Sequence, residues 1–179
     1  MLFVRLVYPC RQHNGDGGKT VSSWPEPVER VAAVLRAAAV DARIEEFPEG
    51  TPTADAAARA VGATRAEIVK SLVFICDGRP VLALVPGDKR ADAARLAAAA
   101  GAGAARVAKP EEVVAATGFE PGAVAPFPVP HVSRVLMDRA LLRHEVVWIG
   151  AGTDRHMAGI GPTDLARLAK AEIGDLTEA

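Results

Sequence analysis

Two apolar runs joined by a tight turn constrain the fold of this chain more than any other feature. Ser71 to Cys76 and Val81 to Val85 are short and rich in Val, Leu, Ile and Phe, and the turn residues Asp77 to Pro80 separate them. Such a pair predicts an antiparallel β-hairpin. Because most positions in both runs are apolar, we expect this hairpin to be buried.

A lysine lies at the entrance to this hairpin. Thr64 and Glu67 have the S/T-x-x-E spacing of a capping box, which predicts a helical turn that begins at about Arg65. Lys70 follows that turn directly and precedes the first strand. A lysine at the start of a strand is ordinarily a solvated charge, so Lys70 by itself indicates no function.

A stiff loop downstream changes that interpretation. Residues 118–130 contain two glycines, four prolines and two phenylalanines between apolar segments. Proline fixes φ, and glycine permits a close approach of other atoms to the backbone. The free backbone N–H groups near Gly122 are therefore candidates to bind a carbonyl oxygen or an oxyanion.

The lysine segment IVKSLVF and the G-x-x-x-P segment from Gly122 to Pro126, in this order and at this spacing, resemble the YbaK/ProX family of aminoacyl-tRNA deacylases. These proteins are free-standing relatives of the prolyl-tRNA synthetase editing domain. The resemblance covers about residues 28–176. It implies an α/β domain of the α+β type, with a curved, mixed, largely antiparallel sheet or partial barrel flanked by helices.

The resemblance also implies roles for individual residues. Gly122 would orient the ester carbonyl of an aminoacyl-tRNA, and Lys70 would bind phosphate or hydroxyl groups at the end of the RNA. Ser71 stands where many relatives have threonine, and it keeps the hydroxyl. The other predicted substrate-binding residues are the loop wall and two outlying side chains: Ala123, Val124, Ala125, Pro126, Phe47 and His156.

Two of these assignments remain open at the level of sequence. Phe47 ends a predicted strand, where it would either fill the core or line the mouth of a pocket. His156 stands near a position where some relatives carry an acidic residue, and it would either contact the substrate or lie on the surface.

Periodicity and turn residues predict the remaining elements. Helices are expected over residues 27–39, 54–61, 91–100, 110–118 and 165–171, and strands over 42–47, 106–108, 133–137, 145–149 and 156–160. No internal repeat or linker divides the chain, and its 179 residues fit one domain. We assign that domain to residues 25–179 and interpret residues 1–24, which include a polar glycine-rich stretch, as a flexible extension.

Several hydrolytic chemistries lack the residues that they need. None of the four serines lies in a G-x-S-x-G turn, and Cys76 is predicted inside an apolar strand, where burial makes a thiol inert. The four histidines show no spacing typical of a metal site, and no cofactor motif is present, so we predict neither metal nor cofactor. An aminoacyl ester is already activated and mainly needs orientation and stabilisation of its oxyanion.

Charge and cysteine content limit the partners. The formal net charge is −1, so contact with tRNA must come from a local patch. Two cysteines and no signal or membrane segment lead us to expect a cytoplasmic protein with no membrane partner. The expected partner is the acceptor end of aminoacyl-tRNA, with a prolyl-tRNA synthetase as a further candidate. The candidate RNA-contacting residues are Lys70, Lys89, Arg90, Lys109, Arg139, Arg143 and Arg155.

The preferred hypothesis is a trans-editing hydrolase that deacylates mischarged aminoacyl-tRNA, namely tRNA-Pro carrying a wrong amino acid such as Ala or Cys. One alternative is a non-catalytic module that holds an aminoacyl, nucleotide or tRNA ligand as the partner of a synthetase. Another is a Schiff-base enzyme, which requires Lys70 to be buried enough to lose its charge.

Overall fold

The computed structural model describes residues 24–178, so the predicted N-terminal extension lies outside the described residues except for Trp24. The helices in this range are α1 (Glu26–Ala37), α2 (Ala54–Val61), α3 (Ala93–Ala100), α4 (Pro110–Thr117) and α5 (Pro162–Ala169). The strands are β1 (Ala42–Glu46), β2 (Val69–Cys76), β3 (Arg79–Pro86), β4 (Ala105–Val107), β5 (Arg134–Asp138), β6 (Val147–Gly150), β7 (His156–Ile160) and β8 (Glu172–Gly174). Short 3-10 turns occupy Arg65–Glu67 and Arg139–Arg143.

The strands form two sheets, one with the order β4-β2-β3-β5-β8 and one with the order β1-β7-β6. The pairs β3–β5 and β5–β8 are parallel, and the other strand pairs are antiparallel. An isolated bridge between Ile68 and Trp148 links the two sheets. The predicted fold class is confirmed: the domain is α+β with mixed, largely antiparallel pairing, and neither sheet closes into a barrel.

The predicted hairpin is confirmed as β2 and β3, in which Val69 pairs with Pro86 and Cys76 pairs with Arg79. Asp77 and Gly78 both have positive φ, 46° and 79°, as a tight hairpin turn between twisted strands requires. The Asp77 carboxylate also accepts hydrogen bonds from the N–H groups of residues 103 and 104. The turn is therefore fixed both by its own backbone and by the segment before β4.

The hairpin is buried on both faces because successive side chains of a strand point to opposite sides. Leu82 and Leu84 belong to the main core, which also contains helix α1 residues and Phe119. Val81, Ala83 and Val85 pack in a second cluster with Leu96, Leu136 and Leu176. A third, smaller cluster lies beneath α2 and consists of Ala57, Ala58, Ile68, Trp148 and Met157.

The differences from the sequence predictions include two helix boundaries and one strand. Helix α3 begins at Ala93 rather than Ala91 because the Asp92 side chain accepts the N–H groups of Ala94 and Arg95 as an N-cap. Helix α5 ends at Ala169 rather than Ala171 because Lys170 turns into the left-handed region with φ 50°. The short strand β8 was not predicted. None of the helices in residues 24–178 has the length and apolar character needed to cross a membrane.

Candidate active site

A cavity of about 370 Å³ opens beside the point where the two sheets are bridged. Its walls come from the start of α2, the start of β2, the proline-rich loop and the turn between β6 and β7. The predicted residues on its lining are Lys70, Ser71, Gly122, Val124 and His156. Segments far apart in the sequence thus meet in one site.

Lys70 lies half-buried at the start of β2, not fully solvated as a strand-end charge would ordinarily be. Its Nζ donates a hydrogen bond to the carbonyl of Lys89, in the turn after β3. Burial lowers the pKa of Lys70, and the nearby Arg65 and Arg90 lower it further, while Asp88 opposes them. Lys70 therefore lies close to two other positively charged side chains, those of Arg65 and Arg90.

A glycine brings the turn after β3 against the start of β2. The Gly87 N–H donates to the Ile68 carbonyl at 2.7 Å, and a Cβ built on Gly87 would lie 2.6 Å from the Arg65 carbonyl oxygen. Any other residue would force these segments apart. Gly87 thereby holds the Lys89 carbonyl within reach of Lys70.

The proline-rich loop has two unused backbone donors at residues that line the cavity. Gly122 has φ 86°, and the Ala123 N–H donates to the Glu120 carbonyl at 2.9 Å, which closes a turn. Within residues 24–178, the N–H groups of Gly122 and Val124 donate to no protein atom. Both residues line the cavity. The N–H groups of Gly122 and Val124 are therefore available to a ligand, while the Ala123 N–H between them holds the turn.

The loop is anchored at its start and packs closely against β6 near its middle. At its start, Arg30 of α1 donates to the Gly118 carbonyl at 2.7 Å and lies over the Phe119 ring at 4.7 Å. Further on, a Cβ built on Gly150 would lie 3.1 Å from the Val124 carbonyl oxygen, so the glycine lets β6 lie close against the loop. These contacts keep the position of Val124 fixed relative to the cavity.

Two side chains place unpartnered polar atoms at this site. His156 is 4% exposed, so it is not a surface residue, and its Nδ1 lies 2.6 Å from the Thr153 hydroxyl oxygen. The His156 Nε2 and the Ser71 Oγ are buried and make no hydrogen bond within the described part of the chain. Burial lowers the pKa of His156 and favours the neutral ring. An unpaired buried polar group is costly, so these two atoms are expected to pair with a ligand or with a water molecule.

The other predicted site residues lie outside the lining of this cavity. Ala123 and Ala125 are buried behind the loop surface, and Pro126 lines a separate groove of about 470 Å³ on the other side of the loop. Phe47 packs in the small cluster beneath α2, which is the core position that the sequence left open.

The lining also includes residues that the sequence analysis did not single out. Ala54 and Ala57 are three residues apart on α2. Met157 directly follows His156, and Thr153 lies three residues before it. The three-residue spacing on α2 is a usable sequence signal for a shared helix face. Thr153 carries no such signal because its contact with His156 depends on the shape of the turn.

Nucleophile and metal chemistry find little support at this site. The Ser71 hydroxyl contacts no base, and burial raises the pKa of the Cys76 thiol. The described residues include no group of three or more His, Cys, Asp or Glu side chains placed to hold a metal ion. The arrangement is suited to binding an oxygen through N–H donors.

One family model and one solved structure are similar to most of this chain. A family model described as "Aminoacyl-tRNA editing domain" matches residues 48–168. A solved structure described as a candidate trans-editing enzyme for prolyl tRNA synthetase is similar, with a TM-score of 0.81 and 35% identity, covering 88% of this chain and 100% of that one.

Two sequence relatives extend this finding. The uncharacterized protein YwhH of Bacillus subtilis (strain 168) is 30% identical over 131 residues, which is 73% of this chain and 83% of YwhH. A proline–tRNA ligase of Nitratidesulfovibrio vulgaris (strain DP4) is 34% identical over 140 residues, which is 76% of this chain. The match spans only 24% of the ligase, so the chain corresponds to about a quarter of that enzyme.

Proposed function

Since the chain belongs to the aminoacyl-tRNA editing domain family, we propose that it hydrolyses the ester bond of mischarged aminoacyl-tRNA. The observation that carries the proposal is the group of donors at one cavity. The free N–H groups of Gly122 and Val124, the Lys70 cation and two unpartnered polar side chains all border the same space. An ester linked to a polyanion needs such donors for its oxygen and a cation for its phosphates.

In the proposed reaction, the ester carbonyl oxygen accepts hydrogen bonds from the Gly122 and Val124 N–H groups. A water molecule attacks the carbonyl carbon, and the negative charge that develops on the oxygen strengthens both bonds. Collapse of the tetrahedral intermediate breaks the bond to the ribose oxygen, which takes up the proton that the water loses. The products are the free amino acid and a tRNA with a free ribose hydroxyl. The neighbouring hydroxyl of the same ribose assists the hydrolysis, and Lys70 binds phosphate or hydroxyl groups at the end of the RNA.

For the substrate, we propose tRNA-Pro carrying an amino acid such as Ala or Cys. Support comes from the similarity to a prolyl-tRNA synthetase trans-editing candidate and to part of a proline–tRNA ligase. The Ala54, Ala57 and Met157 side chains make one wall apolar, as a small uncharged amino acid requires. One methylene in such a wall changes binding by only about 1–3 kcal/mol, so discrimination among small amino acids is expected to be modest.

The decisive experiment is a deacylation assay across tRNA-Pro charged with Pro, Ala, Cys or Ser, and tRNA-Ala charged with Ala. We expect rapid release from at least one mischarged tRNA-Pro and slow release from Pro-tRNA-Pro. Lys70→Ala should abolish most of the activity without unfolding the protein, because a half-buried charge at a strand end contributes little to packing. Arg79→Ala, at the far end of the hairpin, is the control.

Other outcomes would redirect the assignment. Tight binding of an aminoacyl-tRNA analogue without hydrolysis of any tRNA in the panel would favour the non-catalytic module. Borohydride trapping of a substrate on Lys70 would favour the Schiff-base enzyme. Full activity in a folded Lys70→Ala protein would remove Lys70 from the mechanism.

A further inference from the structure

His156 is held from two sides by residues outside the two motifs that point to the site. Its ring meets Trp24 edge-to-face, with centroids 5.2 Å apart and an angle of 86° between the planes. On the other side, its Nδ1 meets the Thr153 hydroxyl. Trp24 is the first described residue and packs against the main core. The family match begins only at residue 48, so Trp24 is a feature of this chain beyond the matched region.

The hydrogen bonds of Thr153 determine which nitrogen of the neutral ring carries the proton. The Thr153 oxygen already accepts the Arg155 N–H at 3.2 Å. If the hydroxyl donates to Nδ1, its one hydrogen is used, and the ring proton resides on Nε2. If instead Nδ1 donated to the oxygen, the hydroxyl hydrogen would have no partner among residues 24–178. The first arrangement pairs both the Thr153 hydroxyl hydrogen and Nδ1, and it leaves only the Nε2–H without a protein partner among the described residues, so we favour it.

This tautomer turns His156 into a donor for the site. Nε2 is the ring nitrogen with no protein partner, and His156 lines the cavity. An N–H there matches an oxygen of the substrate, such as that of the ester or the ribose, and cannot pair with a substrate ammonium group. Holding the ring still lowers the entropy lost when such a bond forms.

We propose that Trp24 and Thr153 are positioning residues for editing: Thr153 fixes the Nε2–H tautomer of His156, and Trp24 holds the ring in place beside the cavity. The inference rests on the proposed deacylase function for its catalytic consequence. The tautomer itself is a property of the free protein and is measurable without a substrate.

The tautomer test uses the full chain with ¹⁵N-labelled histidine. Long-range ¹H–¹⁵N spectra distinguish protonated from unprotonated ring nitrogens, and loss of one signal set in His156→Gln identifies the residue. We expect a protonated Nε2 and an unprotonated Nδ1 at neutral pH. Thr153→Val should give a mixture of tautomers, and Thr153→Ser should restore the original one. A ring with Nδ1 protonated in the wild-type protein, or an unchanged spectrum in Thr153→Val, overturns the proposal.

Charged groups near His156 also influence its pKa, so they must stay unchanged in the variants that are compared. Glu46 and Asp154 raise its pKa and Arg155 lowers it, but burial is the largest influence. Thr153→Val and Thr153→Ser leave all of these groups in place. A difference between the two variants therefore reports the hydroxyl, not a change of charge.

The kinetic test measures kcat and KM separately on the best substrate in the panel. We expect kcat to fall about tenfold in Thr153→Val and in Trp24→Ala, the order expected for one misdirected hydrogen bond, with KM changed less than about twofold. Thr153→Ser and Trp24→Phe should recover most of the loss. Thr163→Val, at an exposed position of α5, controls for the substitution itself.

The outcomes separate the two hypotheses. If no tRNA in the panel is deacylated, the proposed function fails, and the spectra still decide the tautomer. If the wild-type protein is active and folded Thr153→Val and Trp24→Ala keep its kcat, the positioning role is wrong while the deacylase function stands. Melting temperatures identify any variant that has simply unfolded, in which case the conservative variant at the same position decides.

Discussion

At the scale of single residues, conformation at the proposed site depends on groups that add no reactive side chain. Gly122 supplies a left-handed φ, and a Cβ built there would meet no atom within 4 Å. Glycine is therefore favoured at residue 122 because of the backbone conformation, not because a side chain would lack space. A non-glycine residue in that region loses about 1–2 kcal/mol.

We predict that Gly122→Ala lowers deacylation about a hundredfold, because a shift of this backbone removes an oxyanion donor worth about 3 kcal/mol in the transition state. Gly78→Ala is a matched control, since Gly78 also has positive φ and open space but lies at the distal hairpin turn. Both variants should lose similar stability in urea unfolding. Equal activity of the two variants would mean that the loop conformation does not serve the reaction.

The pKa of His156 gives a prediction for pH. Burial lowers this pKa in the folded protein, so the unfolded chain binds more protons once the pH falls below the ordinary value of about 6.5. The free energy of unfolding should therefore decrease as the pH drops from 6.5. In His156→Gln this contribution should be absent, and urea unfolding from pH 7.5 to 5 compares the two proteins. Parallel curves would show that His156 titrates normally.

How much of the site the sequence could reveal depended on what kind of contact held each residue. Lys70, Ser71 and Gly122 lie in short motifs, so local sequence was enough to single them out. Trp24 and Thr153 act through contacts made only in the folded chain, and neither has a local signature. The position of Phe47 at a strand end left open whether it fills the core or lines a pocket mouth, because its packing against the small cluster depends on contacts made only in the folded chain.

At the scale of elements, α1 controls where the proline-rich loop begins. Arg30 binds the carbonyl at the C-terminal end of α4 and covers the Phe119 ring, so it fastens the helix end and the loop start to α1. The ion pair between Arg30 and Glu26, at 3.1 Å, orients the guanidinium from within α1.

We predict that Arg30→Met destabilises the protein by about 1–2 kcal/mol, because it removes a charge-assisted hydrogen bond and a cation–π contact while keeping an apolar stem. Deacylation should also fall, since the loop loses its anchor. Arg79→Met, at the exposed start of β3, should change the unfolding free energy by less than about 0.5 kcal/mol. A urea unfolding midpoint equal to that of the wild-type protein would show that the loop keeps its conformation without the Arg30 anchor.

Element boundaries were predictable where side chains signal them. The Asp77-Gly78 turn and the apolar runs around it predicted the hairpin, and Thr64 and Glu67 predicted the turn before it. The end of α5 was missed because Lys170, a residue with no preference for left-handed φ, takes the position that glycine usually holds. Strand β8 has three residues, too few to show an alternating pattern, and it exists because β5 offers it a parallel edge.

At the scale of the whole molecule, positive charge is local. The net charge is −1, yet Lys89 and Arg90 lie exposed beside Lys70, and neither makes an ion pair within residues 24–178. Arg90 is close enough to lower the pKa of Lys70. This group of charges, at the edge of the cavity, is the expected place for RNA phosphates.

We predict that the double variant Lys89→Ala/Arg90→Ala raises KM for tRNA and reduces the slope of log KM against log salt by about 1.4–1.8, the effect of losing two phosphate contacts. The control is Arg79→Ala/Lys170→Asn, which removes the same charge elsewhere; asparagine tolerates the left-handed conformation at residue 170. Equal slopes in the two double variants would place the RNA on another face.

The donors proposed to polarise the ester belong to the main chain at Gly122 and Val124. A substitution elsewhere in the cavity wall leaves such donors in place, whereas a catalytic side chain disappears with a single codon change. Substitutions of Ala54, Ala57 or Met157 therefore leave the proposed oxygen-binding N–H groups unchanged. Under the proposed function, changes at these three positions alter the amino-acid preference and leave the N–H donors in place.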